Sequence, residues 1–393
     1  MSDRNQSIEI ETYTSVGGAA FMVRLIDEWR AAGLVVNSYE ATSEEEYRKP
    51  KGVWGRTMMR LCMYPGYAVG CWMAVRKSRF RRHLPVRVVT TNPFFGPVLV
   101  ESAANGQGDT VNLVYDLFPE ALIQSGKLRN GSFLARKCAA ITANAFSRCT
   151  VSVFLGERLR AYAEEVHGPA RRAVVIPVGA DGSPFSESEP RIRAKDSTTC
   201  ILYCGLMGRM HETDTLLGLW KRAETSGVKW CFQASGAGYK RLRDGAPGRG
   251  SISWGGPLPS DEWRVAMQNA DVALVTVAPG AERVVMPSKT YSAMVAGQAI
   301  LAICPRGSDL ADLVLRHGCG WIVEPGDVEG LERTVRSISE DAEEVYLRRR
   351  RAYEAGHKFY DMAPISKCWM SLFEEISRQR TSLAPDACEE AKR

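Results

Sequence analysis

Met286-Pro-Ser-Lys-Thr-Tyr-Ser-Ala-Met-Val-Ala296, with Gly297 and an apolar run behind it, decides how this chain is read. Pro287-Ser288 stands just before apolar-periodic residues, the pattern of a helix start in which Ser288 caps exposed backbone N–H groups. Lys289 then falls in the first turn, where a cation opposes the helix dipole. An anion held between the helix N-terminus and the ammonium removes that conflict, and a diphosphate is the common anion of this kind. An ordinary capped helix with a solvated lysine accounts for the same residues. The segment therefore has to be weighed with its surroundings.

Upstream lies a second strand–turn–helix unit. Cys200-Ile-Leu-Tyr-Cys204 leads into Gly205-Leu-Met-Gly208-Arg209-Met-His211, and a helical run follows through Asp214, Leu216, Leu217 and Trp220. The glycines let backbone approach a ligand closely, and Arg209 offers a planar fork for phosphate oxygens. A third unit runs from Trp230 to Ser235 and turns at Gly236-Ala-Gly238. One Gly-x-Gly is common to many strand-to-helix turns. Three such turns in one half of a chain point further, because doubly wound sheets bind ligands beyond the carboxyl ends of their strands. In the first half, strand patterns at residues 8–13, 34–39, 86–90, 110–115, 149–154 and 173–177 alternate with helical ones at 19–32, 133–146 and 157–165. That alternation implies parallel sheets.

In this order the motifs resemble the C-terminal half of retaining GT-B glycosyltransferases of the family 4 type: Gly205-x-x-Gly208-Arg209, 230–238, 252–257, Asp271-Val-Ala-Leu274, Pro287-Ser-Lys289 and Ala296-Gly297. The first half is similar through Val114-Tyr-Asp116-Leu-Phe-Pro119-Glu120 and Val174-Val-Ile-Pro-Val-Gly-Ala180, so the resemblance covers residues 8–375. It implies an α/β GT-B fold, two Rossmann-like doubly wound domains facing a central cleft. The expected division is an acceptor domain at 1–182, a Ser/Pro-rich charged linker at 183–199 and a nucleotide-sugar domain at 200–354. A helical segment at 355–381 would cross back to the first domain, leaving a polar tail at 382–393.

The resemblance also implies a site. Arg209 and Lys289 would flank the diphosphate, and Gly205, Gly208 and the Ser288 helix start would supply N–H donors. His211 would stand near phosphate or ribose. The turns at Gly17-Gly18 and Gly236-Ala-Gly238 complete the binding set. Glu282 matches a glutamate that contacts donor-sugar hydroxyls; a second family glutamate, which holds the ribose diol, reads Ser292 here. Many relatives carry a histidine near Asp116, and this chain has none close in sequence. Asp116 or Glu120 would orient or deprotonate the acceptor hydroxyl, or Asp116 caps the turn at Pro119. Read alone, Arg209 is a surface cation beside a turn and Glu282 a solvated loop carboxylate. His83, His167, His317 and His357 form no constellation in the sequence.

The implied activity is retaining transfer of a sugar from a UDP- or GDP-type nucleotide sugar to a lipid-linked or other saccharide acceptor, a polyprenyl-linked one first. No Asp-x-Asp of the metal-dependent kind occurs, so a hexosyltransferase without metal or other cofactor is expected. A GT-B nucleotide-sugar epimerase and a non-catalytic GT-B binding protein are the alternatives. The chain has neither a Gly-x-Ser-x-Gly elbow nor a full Gly-x-Gly-x-x-Gly fingerprint, which argues against a hydrolase triad and a dehydrogenase.

At 393 residues the chain exceeds what one core serves. Its eleven cysteines contain no C-x-x-C, and the start is polar as far as Ile8, so a reducing, cytoplasmic setting is expected. The net charge of +6 is unevenly placed: residues 47–100 hold eleven Lys or Arg and no Asp or Glu. Within them, 61–75 is uncharged, mostly apolar and interrupted by Pro65, Gly66 and Gly70, short of the roughly 20 residues that span a bilayer. Residues 48–87 are therefore expected to pack partly into the core and partly on an anionic membrane surface, at its inner face. No nucleic-acid-binding module accompanies the basic run.

Overall fold

Val86–Thr90, Val272–Thr276 and Ala299–Ile303 are buried at every position. Such runs belong to central parallel strands with both faces covered. In the computed structural model, which describes residues 8–17, 20–43, 46, 52–81, 83–187, 189–194, 197–223, 225–248 and 250–383, they lie in two six-stranded parallel sheets. The first comprises β1 (Glu9–Gly17), β2 (Val35–Ser43), β3 (Val86–Thr90), β4 (Asp109–Val114), β5 (Val151–Phe154) and β6 (Ala173–Val175), ordered β2-β1-β3-β4-β5-β6. The second comprises β7 (Thr199–Leu206), β8 (Val228–Ser235), β9 (Ile252–Gly255), β10 (Val272–Thr276), β11 (Ala299–Ile303) and β12 (Gly320–Val323), ordered β12-β11-β10-β7-β8-β9. Strand order reverses beside β1 and beside β7, which is where doubly wound sheets open a crevice.

The basic segment packs one face into the first domain, as expected. One helix, Gly52–Ser78, runs straight through Pro65. Pro65 lies on the exposed side of the helix, where its missing N–H gives up one i→i−4 bond. Tyr67, Cys71, Val75 and Ser78 are buried on one face, while Val69, Trp72, Met73 and the following Phe80 are exposed on the other. The inner end is fixed by a buried polar network. Tyr13 Oη and Ser78 Oγ donate to Glu11 Oε2 (2.8 and 3.1 Å), and Arg87, fully buried, lies 3.4 Å from the same oxygen. Arg81 closes it by pairing with Glu9 and Glu11. Arg48, Lys49, Lys51 and Arg82 lie outside the described residues.

Contacts between the halves include two built from well-packed side chains. The last helix, Met362–Leu383, packs on Ala20–Ala31: the ring centroids of Trp369 and Phe373 are 5.5 and 5.0 Å from that of Trp29, and all three are fully buried. On the cleft side, helix Glu157–His167 starts at Gly156, which has no side chain to cap it. Asp309 from the second half does so instead, accepting from Arg158 N and Leu159 N at 3.0 Å each. Arg158 also clasps Asp312 with Nε and Nη2 at 2.6 and 3.0 Å. A Cβ at residue 156 would overlap the Asp309 carboxylate, so the contact requires glycine there.

Candidate active site

The residues expected to hold phosphate gather at the carboxyl ends of β7, β8 and β10. Gly205 takes φ +111°, in the region that favours glycine, and a Cβ at Gly205 or Gly208 would meet nothing within 4 Å. Open space therefore fronts both residues. Gly236 and Gly238 do different work. Their Cβ atoms would lie 2.5 Å from Met207 O and 2.7 Å from Gly208 O, so they let two turns pack backbone against backbone. Gly17 ends β1, and Gly18 lies outside the described residues.

Three side chains converge on one carbonyl oxygen. Leu206 O accepts from Tyr203 Oη at 2.9 Å and from Lys289 Nζ at 3.2 Å, and His211 Nε2 lies 3.0 Å away. Lys289 Nζ also contacts the Tyr203 hydroxyl and sits 4.0 Å from the centre of its ring. Among the described residues no carboxylate pairs with it, and burial brings its ammonium down to about 7. His211 Nδ1 faces Thr276 O at 2.9 Å. Only a charged imidazole could donate to both carbonyls. Burial first, and then Lys289, nevertheless hold the ring down to about 4. Among the described residues, basic groups meet at this corner with no carboxylate paired to them.

Ser288 does not cap its helix. Its backbone is already helical (φ −59°, ψ −28°), it makes no side-chain cap bond, and the helix is only Lys289–Val295. Ser288 and Ser292 instead line a cavity of about 610 Å³ between the halves, facing Tyr115 and Arg24 of the first. Arg24 pairs with Asp181 at 3.1 Å; one Arg in an amphipathic helix carries no sign of such a position in the sequence. Arg209 is exposed, and its Nη1 would lie 3.4 Å from a Cβ placed on Gly126, so it reaches toward the first half.

Glu282 is not a solvated loop carboxylate. Its side chain is 14% exposed, and Oε2 is buried with no hydrogen-bond partner. A group in that state is open to a donor from a ligand. Asp116 sits where β4 ends, its backbone N and O both bonded to Thr91 Oγ1 (3.2 and 2.9 Å), and burial raises its carboxyl. It caps nothing at Pro119, where the next helix begins without a side-chain cap. Glu120 is committed elsewhere, 3.1 Å from His167 Nε2 in a nearly buried pair. His167 thus does have a partner, which its distance along the chain had hidden. Among the described residues no three His, Cys, Asp or Glu side chains gather as metal ligands.

Comparison with solved structures settles the architecture. Sucrose-phosphate synthase from Thermosynechococcus elongatus superposes with a TM-score of 0.69 at 12% identity, covering 95% of this chain and all of that one. Anabaena HepE, solved in complex with UDP and glucose, gives 0.66 at 12% identity over 94% of this chain and all of its own. The fold is GT-B. The chain is also 26% identical over 242 residues to the probable glycosyltransferase WbjE of Pseudomonas aeruginosa, a match covering 58% of this chain and 60% of that relative's length. No protein-family model matches. The GT-B topology puts the cleft between the two sheets, and the Leu206 corner stands on its second-domain wall.

Proposed function

We propose that the chain is a retaining glycosyltransferase that moves a sugar from a nucleotide diphosphate sugar to a membrane-associated saccharide acceptor. The observation that carries this reading is the anion-deficient corner, where Lys289 and His211 meet at Leu206 O in front of the open Gly205–Gly208 turn. A leaving diphosphate gathers negative charge as the glycosidic bond breaks, and donors already in place stabilise that charge most. Lys289 and Arg209 take this role without calling on a metal. Glu282 Oε2 accepts from donor-sugar hydroxyls, Ser292 faces the ribose, and Asp116 orients the acceptor hydroxyl. A UDP-type donor is favoured, since HepE of the same fold is solved with UDP and glucose.

The acceptor side rests on the helix Gly52–Ser78. Its exposed Val69, Trp72 and Met73 stand beside Arg76 and Lys77, a combination that binds anionic bilayers. No helix among the described residues is long and apolar enough to cross a membrane. That exposed face supports a peripheral position at the inner face, where a polyprenyl-linked saccharide is within reach of the first domain. The free cysteines suit a reducing compartment on that side.

The test uses labelled UDP- and GDP-sugars with lipid-linked and soluble acceptors. Wild-type protein should release nucleotide diphosphate and transfer sugar with its anomeric configuration kept. Arg209→Ala and Lys289→Ala should each lower kcat/KM by about 100-fold or more, with circular dichroism unchanged. Near-normal turnover in either variant removes the phosphate assignment. Donor binding without release or transfer would identify a binding protein, and interconversion of two sugar nucleotides an epimerase.

A further inference from the structure

At the opposite end of the first sheet from the cleft lies a cavity of about 890 Å³ lined by Arg79, Arg81, Arg148, Arg171, Arg172 and Arg380. These six arginines come from separate parts of the chain and are brought together at the starts of β3, β4, β5 and β6. Only two carboxylates, Glu101 and Asp109, share the lining. Three of the arginines are already answered. Arg81 pairs with Glu9 and Glu11, Arg172 with Glu375, and Arg380 with Asp109. Arg79, Arg148 and Arg171 have no carboxylate partner among the described residues; Arg148 donates only to Ser102 Oγ, at 3.1 Å. Two guanidinium nitrogens, Arg79 Nε and Arg172 Nη1, are buried with no hydrogen-bond partner. Buried donors of this kind call for acceptors, and a phosphate offers several oxygens to a fork of N–H groups.

The rim indicates where that phosphate comes from. Arg79 lies 4.6 Å over the ring of Phe80, which is 75% exposed. One and two turns back along the same side stand Arg76, 4.5 Å over the Trp72 ring, and then Met73 and Val69. An arginine-lined cavity thus continues into a strip of exposed apolar side chains. Free phosphate would use only the cavity. A lipid uses both, its headgroup among the arginines and its acyl region against the strip.

We infer that this cavity is a binding site for the phosphate headgroup of an anionic lipid. The inference deepens the membrane part of the proposed function by fixing where the bilayer is gripped, on elements outside residues 48–87 as well as within them. Headgroup binding here would hold the first domain by its base and leave the cleft at the other end of the sheet open to donor.

The test compares wild type with Arg148→Gln/Arg171→Gln, two exposed positions on different elements, and with a charge-matched control, Arg333→Gln/Arg336→Gln, on the second domain. Co-sedimentation with phosphatidylglycerol-containing vesicles should show affinity lowered by roughly tenfold or more in the first double variant and little changed in the control. Each single variant should give an intermediate loss, so an unfolded double variant would not remove the test. Inorganic phosphate should compete with the vesicles more strongly than chloride at equal ionic strength. Wild-type binding in the double variant overturns the inference, as does an equal loss in the control, which would indicate diffuse charge alone. Phosphate that binds at Arg148 and Arg171 without displacing vesicles would also overturn it, marking a site for free anion. Donor binding, measured without vesicles, should be the same in all three proteins. Its absence in wild type would count against the proposed function and not against the lipid site.

Discussion

Lys289 is held between the Tyr203 ring and Leu206 O with no carboxylate beside it among the described residues, and burial brings its ammonium down to about 7. A bound diphosphate favours the charged form, so donor binding should take up a proton when the pH is above 7. Affinity should be greatest below pH 7 and fall as the pH rises through it. Titration calorimetry in two buffers of different ionisation enthalpy measures the uptake; equal heats at pH 8 would refute it. The same lysine costs stability. Between 7 and its ordinary 10.5 the unfolded chain binds the proton more readily, so this term makes stability rise with pH across that window. Lys289→Met should therefore melt above wild type by about 2 °C or more at pH 7, with the gap closing toward pH 10. The lysine itself was legible, because Pro-Ser-Lys before an apolar run is a local pattern. The carbonyl it shares with His211 was not, since Leu206, His211 and Lys289 meet only when β7 and β10 pair.

Helices show the same boundary between local and tertiary information. Ser288 has the residue type of a cap, yet a backbone already in the helical region cannot turn its hydroxyl onto the next N–H groups. The cap that does matter at the interface comes from Asp309, about 150 residues away from the helix it serves, and no sequence window contains both. Asp309→Ala should remove two bonds to backbone N–H groups and cost about 1 kcal/mol. The Arg158–Asp312 pair, partly exposed, adds a few tenths to one kcal/mol more. Gly156→Ala should be at least as disruptive, because the new methyl displaces the carboxylate. Small-angle scattering should show both variants with a wider spread of domain separations than wild type; unchanged profiles would mean the contact does not hold the domains. Pro65 does not interrupt its helix, and the alternation of Tyr67, Cys71 and Val75 with Val69, Trp72 and Met73 describes a two-faced one.

For the whole molecule, alternating strand and helix patterns were enough for two doubly wound domains, since parallel strands need long crossovers whatever their side chains are. Which domain surface meets a bilayer depends on how the basic segment folds, and that needed the structure. Arg76→Glu/Lys77→Glu should weaken binding to anionic vesicles, and raising the salt concentration should weaken wild-type binding as well. Flotation with anionic and neutral vesicles checks both; equal binding to the two would reject the surface. Reversal at Arg81 belongs to a different class of change. It would place a carboxylate against Glu9 and the fully buried Glu11, so lowered thermal stability is expected there, and any lost membrane binding would follow from unfolding.

The packing of Trp369 and Phe373 on Trp29 sets an order of events during synthesis. The first domain leaves the ribosome early, but the cover over Trp29 is made about 340 residues later. At about 5–20 residues per second, that indole waits on the order of half a minute before its pocket closes. Until then the newborn first domain carries an open apolar seat, and the chain is committed to its native form only when helix Met362–Leu383 arrives.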